Sequence, residues 1–133
     1  MISLLSFSAP IFEPFDFLNS WHVAATACFA GIDLKTTRLV TTAWVLLECA
    51  NHSARKPYRL EVVRLRDDLG LAGDLYEPLA EEVAQAWQEY AQGIAGTAGI
   101  VDLVSFAVMR RLGITDAFTN DKHFTAAGFN VLF

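Results

Sequence analysis

Cysteine is scarce in this chain, with only Cys28 and Cys49 among 133 residues. Two thiols cannot build a disulfide framework, and their spacing does not suit a metal site, so both are expected to be buried in a reducing compartment. Positive charge is also in short supply: ten Lys and Arg against fifteen Asp and Glu leave a net charge of −5. That excludes a global cationic field for nucleic acid, so any such contact must be local or assisted by a metal ion. No hydrophobic run reaches spanning length. The mean hydropathy of +0.33 is high, yet the uncharged stretch Phe17 to Ile32 contains Asn19, Ser20 and His22 and falls short of a membrane helix. Met1 to Phe12 has no basic residue ahead of its apolar positions, so no signal peptide is expected. With no repeat, no low-complexity tract and no linker, the chain reads as a single cytoplasmic domain over residues 1–133, without a membrane partner.

What is present is apolar. A hydrophobic fraction of 53% with 19% charged residues describes a globular chain able to bury its own core. Met1 to Phe7 reads as a strand, Phe17 to Ala30 as a helix and Thr36 to Val40 as a second strand. Thr41 or Thr42 then caps a helix through Ala50. Arg55 to Leu69 carries Tyr58, Val62, Leu65 and Leu69 at helical spacing, and Gly70 and Gly73 are expected to end it. A short extended piece at Asp74 to Pro78 leads to a helix whose inward stripe is predicted as Leu79, Val83, Ala86, Trp87 and Tyr90. Ile100 to Leu112 is an almost wholly apolar helix ended by Gly113, followed by strands at Ile114 to Thr119 and Asn130 to Phe133. Short strands alternating with helices predict an α/β fold with a mainly parallel sheet, whose sites lie beyond the strand carboxyl ends.

Three acids stand out against this background. Glu48 and Asp102 lie in otherwise apolar helical segments, and Asp121 follows the strand that begins at Ile114. A carboxylate in such surroundings needs a partner, a hydrogen bond or a cation. Three converging acids would repel one another, and Mg2+ or Mn2+ bound by hard oxygens would relieve that repulsion. Each acid also has a structural explanation. Glu48 can cap or pair with an arginine, Asp102 suits the first turn of its helix, and Asp121 can be the N-cap of a helix starting at Lys122.

Thr41-Thr-Ala-Trp-Val-Leu-Leu-Glu48, the run from Val101 to Ile114, and Phe118-Thr-Asn-Asp121-Lys-His-Phe124 followed by Gly128-Phe-Asn-Val-Leu together resemble the PIN domain. More narrowly they resemble its toxin-type (VapC-like) branch, and Ser20-Trp21-His22 resembles that family's first-helix segment. The resemblance covers about residues 18 to 133. It implies a three-layer α/β/α sandwich and a Mg2+- or Mn2+-dependent endoribonuclease. Glu48, Asp102 and Asp121 match the family's second, third and fourth acids. On that reading Asp102 and Asp121 hold the ion, Glu48 orients water, and Thr119 positions the site. His123 and Phe124 are read as mainly structural, the imidazole bonding nearby backbone and the Phe124 ring packing beneath the acids.

The family's first acid would fall near Phe7, where Ile2-Ser-Leu-Leu-Ser-Phe-Ser8 has none. Glu13 and Asp16 are the nearest acidic substitutes, and Ser6 or Ser8 would give only a neutral oxygen. This leaves three readings: a nuclease with weakened metal affinity, a non-cutting domain that binds RNA or protein, or a start further upstream.

Arg55, Lys56, Arg59, Arg64 and Arg66 place half of the positive charges within twelve residues, either as an RNA-phosphate surface or as a solvated helix face. From Asp67 to Glu89 there are seven acids and no Lys or Arg, a surface for a basic partner or simply a soluble one. Trp21, Trp44 and Trp87 are expected in the core or on a dimer face, and His22 and His52 as structural residues. Surplus apolar surface suggests a homodimer or a groove for an antitoxin-type peptide.

Overall fold

The β-branched run Val40-Thr41-Thr42 favours extended backbone, and all three residues are buried at the heart of strand β2, Arg38–Thr42. A computed structural model of the chain describes residues 2–5, 38–52, 54–55, 59–119 and 121–132. The expected helix over Phe17 to Ala30, Trp21, His22, Cys28, Lys56 and Tyr58 lie outside the described residues. Among those described, five strands form one sheet in the order β3-β2-β1-β4-β5. They are β1 Ile2–Leu5, β2, β3 Leu75–Tyr76, β4 Asp116–Phe118 and β5 Asn130–Val131. Every pairing is parallel, with Leu4 opposite both Val40 and Ala117. The predicted parallel α/β architecture is therefore what the chain adopts.

Strand β2 continues past the expected end at Val40, because Thr41 and Thr42 pair with Leu75 and Tyr76. Thr42 also caps the adjoining helix, its Oγ1 accepting from Val45 N at 3.2 Å to start α1, Ala43–His52. Helix α2, Arg59–Ala72, runs through Gly70 instead of stopping there. Gly73 ends it, at a φ of +74° that a side chain would resist. The Arg38 guanidinium fastens this turn, bonding the Asp74 carboxylate and donating to Gly73 O.

Helix α3, Ala80–Gln92, corrects the expected inward stripe. Ala86 is buried and Val83 half-buried, but Leu79, Trp87 and Tyr90 are exposed. α3 packs along α4, Ile100–Leu112, and the small Ala86 sits in the core shared with α4. Trp87 and Tyr90 instead meet edge to face, 5.8 Å apart, on the solvent side. Periodicity locates an apolar face, but the neighbouring element decides how much of it is covered.

Helix α4 has the predicted bounds and supplies Leu103, Val104, Phe106, Val108 and Met109 to the core. Phe106 meets Phe124 of α5 (Lys122–Ala126) edge-on at 4.8 Å and lies 5.5 Å from Phe129. Arg111 reaches from α4 to Glu82 of α3 at 3.0 Å. Against the desolvation that would raise it, hydrogen bonds from Arg111 and from Leu79 N hold the Glu82 carboxyl below its ordinary range. Among the described residues no helix is long and apolar enough to cross a membrane.

Adjacent positions on α4 give opposite expectations. Phe106→Ala removes a ring from a closed aromatic cluster and should destabilise the fold by about 3–5 kcal/mol in chemical denaturation. The buried Ser105 hydroxyl has no hydrogen-bond partner among the described residues, so Ser105→Ala should stabilise by about 1 kcal/mol.

Candidate metal centre

From β1 the sheet grows towards β2 and β3 on one side and towards β4 and β5 on the other. Such a reversal opens a crevice beyond the carboxyl ends of the two central strands, here β1 and β4, where Leu5 is level with Phe118. Asp121 follows β4 at this position. A tight turn leads into it, with Thr119 N donating to Ala117 O and the buried Thr119 hydroxyl accepting from Asp121 N at 3.1 Å. Asp121 is the N-cap of α5, as one reading of the sequence foresaw, its Oδ1 accepting from His123 N at 2.9 Å.

Asp102 arrives from the opposite direction. It occupies the first turn of α4, and its Oδ2 accepts from Gly99 N at 3.4 Å. The structure brings Asp102, Asp121 and His123 together, each offering a ligand atom within 4.8 Å of the others. All three are half-buried. His123 does not bond backbone through its ring, as was expected. Its Nδ1 lies 2.7 Å from Asp121 Oδ1 and its Nε2 lies 2.8 Å from the hydroxyl of Thr97. A carboxylate oxygen outcompetes a carbonyl as acceptor, and the five-residue helix α5 holds the ring beside its own cap. Phe124 is fully buried, packed edge-on against Phe106.

The electrostatics follow from this crowding. Burial and then the charge of Asp121 raise the Asp102 carboxyl above the ordinary aspartate range, against the opposing Gly99 N–H and His123. Glu48 stands on α1 as an exposed residue outside the tight group. Partial desolvation of its carboxyl and then the charge of Asp102 raise it too. Among the described residues, no lysine or arginine pairs with any of the three. The alternative in which Glu48 pairs with an arginine is thus not seen there. A divalent cation fits such a set of hard oxygens, which no lysine or arginine among the described residues pairs with.

Arg55, in a turn after α1, and Arg59, at the start of α2, are exposed and enter no ion pair among the described residues. Lys56 lies outside the described residues. Thr97 was missed by the sequence reading. Its partner is 26 positions away, and a lone threonine in a glycine-rich loop carries no pattern.

A profile of the PIN domain matches residues 16–130. The chain belongs to the PIN domain family. Among solved structures it is similar to VapC20 of Mycobacterium tuberculosis, a toxin that cleaves the sarcin-ricin loop. That likeness is at 26% identity and a TM-score of 0.76, covering 97% of this chain and 96% of the other. Comparison with curated proteins gives no match. The strand order places the crevice at the carboxyl ends of β1 and β4. After β1 the sequence runs Ser6-Phe7-Ser8, with no acid among them.

The raised Asp102 carboxyl has a consequence for stability. In the fold it releases its proton at a higher pH than in the unfolded chain. Between those two values the folded state binds more protons, so stability falls as pH rises through that window. Asp102→Asn should therefore raise the melting temperature of metal-free protein at about pH 7, with the gain shrinking towards about pH 4. Thermal melts across that range check this.

Proposed function

We propose that this chain is a single-domain, Mg2+- or Mn2+-dependent endoribonuclease of the toxin type, cleaving RNA phosphodiester bonds in the cytoplasm. The observation that carries the reading is the convergence of Asp102 and Asp121 at the switch between β1 and β4, in a member of the PIN domain family. The likeness to a toxin that cleaves the sarcin-ricin loop supports RNA as the substrate class.

Asp102 and Asp121 would hold the ion, with Glu48 alongside. When bound, such an ion offsets charge on the scissile phosphate and makes water a better nucleophile. Glu48, exposed and raised above the ordinary range, orients the attacking water and accepts its proton. Thr119 fixes the backbone entry to Asp121 through its hydroxyl. His123 steadies the Asp121 carboxylate from the side. Arg55, Lys56 and Arg59 would meet RNA phosphates, which need only local positive charge on an acidic protein.

The absence of an acid from Ile2 to Ser8 favours a second reading, in which the domain binds RNA or protein without cutting. With one carboxylate fewer, ion affinity falls, so Mn2+ is the better probe. Exposed Leu47, Leu60 and Val63 on α1 and α2 support association, as a homodimer or with an antitoxin-type protein.

Incubation of the purified chain with a structured RNA stem-loop and Mn2+ tests the two readings. Site-specific cleavage should fall at least about 100-fold in both Asp102→Asn and Asp121→Asn. RNA binding without cleavage at any Mn2+ concentration would replace the nuclease reading with the second one.

A further inference from the structure

We propose that Thr97 is a positioning residue for Asp121, acting through His123. The inference rests on the reading of Asp121 as a metal-holding acid and extends it to a loop that the sequence did not mark.

Three groups form a continuous chain: the Thr97 hydroxyl, the His123 imidazole and the Asp121 carboxylate, joined at 2.8 Å and 2.7 Å. An ionised carboxylate only accepts, so Nδ1 carries the proton that faces Asp121. In the neutral ring Nε2 then accepts, and Thr97 donates to it. With both nitrogens engaged, the ring cannot rotate without breaking a bond, and its lone pair is withheld from an ion. The set left for a cation is oxygen, which suits Mg2+ or Mn2+ over softer metals.

The loop is built to hold Thr97 in place. Gly96 takes a φ of +62°, and the next residue but one, Ala98, is buried. Gly99, one position later, gives its N–H to Asp102. The segment from Thr97 to Gly99 therefore restrains both acids, one through backbone and the other through the imidazole. Thr97 itself is exposed, so its hydroxyl is not required for the core, and Thr97→Val conserves its shape.

The test compares the parent chain, Thr97→Val and Thr97→Ser by Mn2+ calorimetry, and by NMR of metal-free protein at one fixed pH. The NMR reads the His123 ring nitrogens, assigned with His123→Gln, and the Asp121 carboxyl carbon. Thr97→Val should weaken Mn2+ binding about 10-fold, and should shift both the His123 Nε2 and the Asp121 carboxyl signals. Thr97→Ser should restore all three. Parent-like Mn2+ affinity in Thr97→Val, or equal losses in the Val and Ser variants, would overturn the proposal. If the parent binds no Mn2+, the metal reading fails separately. The Asp121 carboxyl signal then decides on Thr97: a shift in Val but not Ser upholds the linkage, and no shift overturns it.

Discussion

Two carboxylates held close together in partly desolvated surroundings repel one another, and the fold has to absorb that repulsion. Asp102 and Asp121 are placed this way by elements the chain cannot easily move. One sits on the first turn of the main core helix α4, the other directly after a central strand. Burial first, and then the charge of Asp121, raise the Asp102 carboxyl above the ordinary aspartate range. Three restraints offset it without neutralising it: the Gly99 N–H on Asp102, and the His123 backbone N–H and imidazole on Asp121. A cation between the acids would convert the repulsion into attraction.

The core and the site share the same parts. α4 buries Leu103, Val104, Phe106, Val108 and Met109 along the stretch that begins one residue after Asp102. α5 buries Phe124 one residue after His123. Packing of Phe106 on Phe124 thus sets the distance between the two acid-bearing elements. A site built on rigid elements holds its side chains more narrowly than one built on loops. Thr97 is the exception, a loop residue whose place is set by its glycine neighbours.

Much of this was legible in the sequence, for reasons that differ by element. The bounds of α4 were readable because an apolar run ends at Gly113, whose left-handed φ closes the helix. The parallel α/β class followed from strands and helices in alternation. Asp121 was read either as an N-cap or as a site acid, and its carboxylate both caps α5 and faces Asp102. Local signals could not say which side of α3 would be covered, so Trp87 and Tyr90 were placed inward when they lie in solvent. Nor could they reveal Thr97 as the partner of His123, since that bond depends on a loop between two helices meeting α5. The imidazole's choice of a carboxylate over backbone was hidden for the same reason.

On the proposed function, the oxygens of Asp102 and Asp121 together grip a divalent cation. Anomalous diffraction at the manganese edge, from crystals of the chain soaked in Mn2+, tests it most directly. A single strong peak is expected between the two carboxylates, absent in crystals of Asp121→Asn. Ordered acids with no peak between them at saturating Mn2+, or a peak that persists unchanged in that variant, would contradict it.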